Sequence, residues 1–496
     1  MDLPVVIDRR DKTPVWLQLS RSLRERILEG QLAAGVSMPS SRELGEMLGL
    51  SRATVVKSYT DLISQGYLDA TPGGGTFVSR SVRRQEPGTE DTGDSAADNS
   101  SPAMERLSVE GQRLMQLRIA RATSGDLPEL NYGSPPVDML PARQWKEIMI
   151  SHCRLQNPHR LDYQPETFGD FKLRVAIAAY LGRAKALRCD PEQIIVFSGS
   201  QQALYYICRL LLDPGDSVVV EHPGYGGARN AILSRGASLL PVSVDVDGMI
   251  VSDIPSSDDE KIKLAYVTPS AHDPTGMIMS LDRRKALLEW ASRTGAFIVE
   301  DAWDGDYTYV KPPLPSLQGL DRDERVLYIY SFWKVLYPLL TVGVLVLPRP
   351  LIPVFERAKM LAERQFPLLE HYALCEFIEE GFLERHIKKT RSIYERRRQA
   401  LIAALSSVFR WSATIPKQSS GLHLCVRFSM QFPETELLEC ARAAGLPLVS
   451  TRPYYLDNAP ACEFLIPFAI LSDSEIAERV NGFAARIARL KTDIET

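Results

Sequence analysis

The sequence predicts an α/β protein: an open, mostly parallel sheet, a small winged helical module ahead of it and a small α+β subdomain behind. Three observations predict this. From about Leu130, β-branched runs alternate with helical stretches: Ile194–Phe197, Ser217–Glu221, Leu264–Thr268, Phe297–Glu300, Val326–Tyr330 and Val342–Leu347. Near the N-terminus, two short capped helical segments flank a glycine turn. Between these regions lies a stretch almost without hydrophobes.

Bulk composition bounds the function classes. At 496 residues the chain exceeds one ordinary domain, so two or three are expected. A hydrophobic content of 45% and a charged content of 24% suit a globular protein in water. No apolar run of about 18 residues occurs, and MDLPVVIDRRDK carries no signal-peptide core, so the cytoplasm is the expected location. The seven cysteines include no C-x-x-C pair, so neither a zinc site nor a disulfide framework is expected. A net charge of −4 argues against a chain coated in nucleic acid but permits a small DNA-binding module on an acidic body.

Residues 1–80 form the first expected domain. Leu17, Leu19, Leu23, Ile27 and Leu28 give one helix its apolar face, and Gly30 and Gly35 end it. Ser40 and Glu43 form a capping box opening a second helix, which Gly49 closes. Ser51 caps a third, Arg52 to Ser64, with Val55, Tyr59 and Leu62 inward. Tyr67–Ala70 and Thr76–Val78, joined by Thr71-Pro72-Gly73-Gly74-Gly75, add a two-stranded wing. Together these describe a winged helix-turn-helix. A generic three-helix bundle is the bland alternative. The glycine run lacks the Gly-Lys-Ser/Thr of a phosphate loop. Side chains in the first turn of a recognition helix reach bases and phosphates. The expected DNA contacts are therefore Arg42, Ser51, Arg52, Thr54 and Lys57, with Gly75 and Thr76 of the wing.

Residues 81–128 read as a linker: hydrophobe-poor and acidic to residue 103, then an amphipathic segment from Met104 to Ala122. Residues 129–496 form the α/β body, with a large part to about 380 and a small C-terminal subdomain. The latter pairs charged helices (Glu384–Leu405, Ser472–Leu490) with short strands (His423–Phe428, Glu463–Pro467).

Ligands of open α/β sheets bind beyond the carboxyl ends of the strands, and polar oddities gather there. After Ile194–Phe197 come Ser198, Gly199, Ser200 and Gln201 at a helix start, where free N–H groups favour a phosphate. Asp301 follows Phe297–Glu300, placed to pair with a protonated ring nitrogen. Tyr225 offers an aromatic face, and Asp273 lies in the turn after Leu264–Thr268. Ser331 and Lys334 follow the strand Val326–Tyr330. Burial would push that lysine toward the neutral amine that attacks an aldehyde. Alone it reads as a core lysine snorkelling outward. Together, a phosphate cradle, an acid, an aromatic plate and an amine are the parts of a pyridoxal 5′-phosphate (PLP) site. Ser331-x-x-Lys334 has the spacing of serine acyl-transferases, but no companion Lys-Thr-Gly element occurs.

The segment MPSSRELGEMLGLSRATVVKSYTDLISQGYLDATPGGGTFVS resembles the winged helix-turn-helix of GntR-family regulators. The body resembles PLP-dependent fold-type I aminotransferases. The tract DPEQIIVFSGSQQALYYICRLLLDPGDSVVVEHPGYGGAR is similar to the pattern of the MocR subfamily, which joins the two. The resemblance implies a promoter-binding regulator that carries PLP on Lys334 as a Schiff base and senses PLP, or an amine or amino-acid effector. It makes Asp301 the ring-nitrogen partner, Tyr225 the stacking aromatic, and Ser200 and Gln201 part of the phosphate cradle. It also implies a homodimer in which Tyr163 reaches the neighbour's phosphate site.

Four positions depart from that pattern. Thr341 stands where an arginine usually meets the phosphate, and Trp303 where a tyrosine usually meets the cofactor's O3′. Asp273 replaces an asparagine. The late strand Glu463–Ala469, with Leu465 in its middle, lacks the arginine that grips a substrate carboxylate; Arg452 is near in sequence. An active aminotransferase with a regulatory head, and a regulator that has lost PLP, are the alternatives these departures leave.

Overall fold

The computed structural model describes residues 7–8, 11–71, 75–81, 106–117, 133–154, 166–255, 262–310, 313–363, 365–415, 420–429 and 432–495. The chain divides into two compact units, Met1–Arg106 and Leu107–Thr496.

The first unit is made of α1 (Val15–Leu28), β1 (Ser37–Met38), α2 (Ser41–Leu48), α3 (Arg52–Ser64), β2 (Leu68–Thr71) and β3 (Gly75–Val78). Local sequence accounts for its helix ends. Ser40 Oγ accepts from the Glu43 N–H at 3.2 Å while the Glu43 carboxylate accepts from the Ser40 N–H at 2.9 Å. Gly49 closes α2 in the left-handed conformation, at φ +63°. Ser51 Oγ accepts from the Thr54 N–H at 3.2 Å and opens α3. Leu19, Leu23, Leu44, Val55 and Leu62 are fully buried and form the core. The wing is three-stranded, in the antiparallel order β1-β3-β2. β1 escapes notice in the sequence because two residues are too short to show alternation.

The second unit opens with α4 (Val109–Gln116), which buries none of its side chains. It lies within the amphipathic segment expected from Met104 to Ala122, of which residues 104–105 and 118–122 lie outside the described residues. Its polar contacts tie it to the body: Glu110 pairs with Arg235 at 3.0 Å, and Arg113 donates to the Arg235 carbonyl at 3.2 Å. The large part then runs through α5 (Ala142–Cys153), α6 (Phe171–Lys185), β4 (Ile194–Phe197), α7 (Ser200–Leu211), β5 (Ser217–His222) and α8 (Gly226–Ser234). It continues with β6 (Ser238–Asp245), β7 (Gly248–Met249), β8 (Ile262–Val267), α9 (Leu281–Thr294), β9 (Phe297–Ala302) and α10 (Leu317–Leu320). β10 (Val326–Ser331), α11 (Trp333–Leu336), β11 (Gly343–Val346), α12 (Ile352–Ala362) and α13 (Leu368–Glu379) complete it.

The eight-stranded sheet has the order β4-β11-β10-β9-β8-β5-β6-β7. β10, β9, β8, β5 and β6 pair in parallel, while β11 runs antiparallel to both β10 and β4. Strands β4, β10 and β11 are buried at every position, as apolar runs covered on both faces must be. β6 was not expected: Pro241 interrupts its pattern, and it lies near the sheet edge, where proline is tolerated. Asp301 and Ser331, expected just beyond strands, are instead residues of β9 and β10. The small subdomain holds α14 (Phe382–Phe409), β12 (Ala413–Thr414), β13 (His423–Phe428), α15 (Glu434–Ala443), β14 (Val449–Ser450), β15 (Glu463–Pro467) and α16 (Asp473–Glu495). Its antiparallel sheet has the order β12-β13-β15-β14. No helix of the described residues is long and apolar enough to cross a membrane.

Candidate functional site

The ends of β9 and β10 and the turn after β8 bring four ionisable side chains together. Lys334 sits in the single turn of α11, directly after β10, and is 6% exposed. Its Nζ donates to the Gly133 carbonyl at 2.8 Å and lies 4.6 Å from the Trp303 ring centroid and 4.9 Å from that of Trp333. Burial pulls its pKa below the ordinary lysine value, against the opposing pull of Asp304 and Asp273. The approach at Gly133 is close: a Cβ built there would stand 1.5 Å from Nζ.

Asp301 is buried in β9, and desolvation raises its pKa to about 7. The Tyr266 hydroxyl donates to its Oδ2 at 2.8 Å, whereas its buried Oδ1 has no hydrogen-bond partner among the described residues. Asp273 is buried in the turn after β8, its backbone N–H donating to Thr268 Oγ1 at 3.2 Å. That turn is pinned from behind by the buried Arg284, which donates to the carbonyls of Pro269 (2.7 Å) and Met279 (3.0 Å). Asp304, two residues past β9, is also buried, and burial raises its pKa while Lys334 lowers it.

The cradle forms where β4 meets α7. Gly199 precedes the first turn of α7, and Gly343 of β11 lies against it. A Cβ on Gly343 would come within 2.5 Å of the Ser200 nitrogen. Gly343→Ala is therefore expected to displace the N–H groups of that turn. A phosphate held by that turn would lose about one charge-assisted hydrogen bond, about 1.5–3 kcal/mol, which a PLP titration would measure. The Tyr225 hydroxyl donates to Gln201 Oε1 at 2.9 Å, joining the aromatic to the cradle. Thr341 is exposed at the cradle's edge.

Other expected residues fall differently. The indole N–H of Trp303 donates to the Ala271 carbonyl at 2.7 Å, so it is spent on the β8 turn, while its ring stacks on His423. Ser331 is buried, its Oγ accepting from the Trp333 N–H at 3.2 Å. Arg452 is exposed and pairs with Glu434 at 3.2 Å, which removes it as a stand-in for the missing arginine. Leu465 is fully buried with Cys425 and Val449. Tyr163 lies outside the described residues. Gly133, Tyr266 and Asp304 were missed by the sequence reading; Asp304, three residues after Asp301 at a strand end, carried the one usable signal.

In the head, Arg42, Ser51, Arg52, Lys57 and Gly75 are exposed, and Thr54 and Thr76 are half-buried. Arg42 pairs with Glu46 at 3.2 Å, Lys57 lies over the Trp16 ring at 4.4 Å, and the hydroxyls of Ser51 and Thr54 are 2.8 Å apart.

Comparison with known proteins places both units. Residues 17–78 match the gntR family of bacterial regulatory proteins, and residues 129–444 match aminotransferase class I and II. The probable rhizopine catabolism regulatory protein MocR of Rhizobium meliloti is 32% identical, over 98% of this chain and 97% of its own. The HTH-type pyridoxine biosynthesis transcriptional regulator PdxR of Corynebacterium glutamicum is 28% identical, over 80% of each chain. Among solved structures, the kynurenine aminotransferase of Pyrococcus horikoshii, in complex with PMP, superposes with a TM-score of 0.69 at 26% identity. That match covers 78% of this chain and 98% of the other. Since head and body align end to end with a single relative, the chain belongs to the MocR-type, GntR-family helix-turn-helix transcriptional regulators.

Proposed function

We propose that the body carries PLP on Lys334, and that its loading, and its exchange with an amine or amino-acid effector, governs how the head holds promoter DNA. The observation that carries this reading is the buried Oδ1 of Asp301, without a hydrogen-bond partner among the described residues, at the same strand ends as a buried lysine. A protonated ring nitrogen would satisfy that oxygen, so the residues present fit the cofactor. When bound, PLP supplies an aldehyde that can join an amine. Lys334 is the nucleophile, and its burial favours the neutral form. Asp301 holds the ring proton, and the first turn of α7 with Gln201 and Tyr225 receives the phosphate. That the similar PdxR is a pyridoxine biosynthesis regulator supports a B6 compound as the signal. A cytoplasmic homodimer completes the reading, with Arg42, Ser51, Arg52, Thr54, Lys57, Gly75 and Thr76 facing DNA.

The pH dependence has a definite sign. A lysine with a lowered pKa is neutral at lower pH than a free lysine, whose pKa is about 10.4. Covalent capture of PLP, trapped with borohydride, is expected to rise with pH and level off well below that value. A half-point at the free-lysine value would remove burial as the activator.

The proposal is tested by gel shift of the purified full chain on the DNA upstream of its own gene, with Arg52→Ala beside it. Specific binding that Arg52→Ala weakens is expected. No specific binding, with or without PLP, defeats the reading. Lys334 and Asp301 also suit an active aminotransferase; turnover of amino acids at ordinary enzymatic rates, lost in Lys334→Ala, would favour that second reading.

A further inference from the structure

The proposed effector is an amine or an amino acid, and the side chains around Lys334 narrow that choice. Its nitrogen is held as a small organic cation is held, by a carbonyl oxygen at 2.8 Å and two indole rings at 4.6 and 4.9 Å. Aromatic faces stabilise alkylammonium ions when water is excluded. Asp273 and Asp304 are each 2% exposed, and against the larger effect of burial, which disfavours the charge, both pull the lysine toward its ammonium form. Asp304 Oδ2 accepts from the Leu422 N–H at 3.2 Å, but its buried Oδ1 has no hydrogen-bond partner among the described residues. Such an oxygen is costly to leave unsatisfied, and an ammonium supplies the donor.

Provision for a ligand carboxylate points the other way. Leu465 is buried among apolar neighbours, and Arg452 is held by Glu434. Arg229 is occupied by the carbonyls of Pro453 and Tyr454. A carboxylate entering beside Asp273 and Asp304 would meet repulsion as well as the cost of its own desolvation.

We propose that this pocket is an alkylammonium site, and that its effector is a primary amine without a carboxylate, recognised by Trp303, Trp333, the Gly133 carbonyl and Asp304. The inference rests on the reading that PLP is carried on Lys334. In the exchange, the C=N bond passes from the lysine nitrogen to the effector nitrogen. Two hydrogens move the opposite way, and neither water nor an oxidant is consumed. Before exchange the cage receives the incoming ammonium; afterwards it receives that of Lys334, so the carboxylates keep a counter-charge throughout.

Two measurements on the full chain test this. PLP-loaded protein is titrated with pentylamine and with 5-aminopentanoate, following the visible absorption of the bound cofactor. Pentylamine is expected to half-saturate at about tenfold lower concentration, the factor one lost favourable contact commonly makes. Asp304→Asn is expected to narrow the gap. Equal or tighter response to 5-aminopentanoate overturns the inference. The second measurement needs no PLP: Lys334→Ala vacates the cage, and ethylammonium is expected to raise its Tm saturably while propionate and β-alanine do not. Absence of a visible band with wild-type protein and PLP sinks the cofactor reading alone. Failure of ethylammonium to stabilise Lys334→Ala sinks the ammonium site.

Discussion

Replacing Lys334 by alanine is expected to abolish covalent capture of PLP while leaving the body folded. Without that amine no Schiff base forms at this position, so borohydride should leave no phosphopyridoxyl group on the protein. The effect is all-or-none, because the other proposed recognition features would hold a cofactor without bonding to it. Folding should survive for an electrostatic reason. Burial disfavours the charged form of Lys334, which shows as a lowered pKa, so removing the side chain relieves a desolvation cost. Removing it deprives Asp304 of its counter-charge, but burial already raises Asp304, so that carboxyl can take up a proton. Borohydride trapping followed by mass spectrometry, with circular dichroism on the same samples, checks both halves.

Replacing Asp306 by alanine is expected to have the largest effect on stability. Its carboxylate lies beneath the site at the centre of a buried network: Lys185 Nζ is 2.6 Å from Oδ1, the Tyr180 hydroxyl donates to Oδ1 at 2.9 Å, and that of Tyr330 to Oδ2 at 2.6 Å. Burial alone would raise its pKa, yet Lys185 and the two hydroxyls hold it below the usual carboxylate value. A folded-state pKa below the unfolded one contributes stability present above the unfolded value, about 3.9, and lost as pH falls through the folded value. The alanine variant leaves Lys185, with its side chain 12% exposed, without its carboxylate, and leaves the two buried phenols only each other, 3.1 Å apart, as a hydrogen-bond partner in place of the carboxylate. Breaking a buried ion pair from one side costs about 3–5 kcal/mol. Denaturant unfolding at neutral pH should show a loss in that range. It should shrink in acid, where wild-type Asp306 also loses its charge. A loss below about 1 kcal/mol would mean that the network is not a unit.

Much of this was legible because the determinants are local. The capping box of Ser40 and Glu43, the left-handed Gly49 and the Ser51 cap each act within a few residues, so sequence showed the head's helices directly. The central strands were legible because a sheet covered on both faces needs unbroken apolar runs. The misses were set by tertiary context. β6 was hidden by Pro241, tolerable near a sheet edge that sequence cannot locate. Gly133 meets Lys334 across 201 residues of chain, and Tyr266 meets Asp301 through adjoining strands, so neither pairing leaves a local pattern. The fate of Arg452 turned on Glu434, and that of the Trp303 N–H on the Ala271 carbonyl. Residue type at the site was readable; the partner each residue had already taken was not.

The central claim is that the state of one amine in the body is felt by the head. Titration of upstream DNA with the full chain, with and without saturating PLP, tests it most directly, with Lys334→Ala run in parallel. The account predicts that PLP changes the Kd of the wild-type chain by about fivefold or more, the lower end of ordinary coupling energies, and leaves that of Lys334→Ala unchanged. Identical DNA affinities for the loaded and unloaded wild-type chain would contradict it.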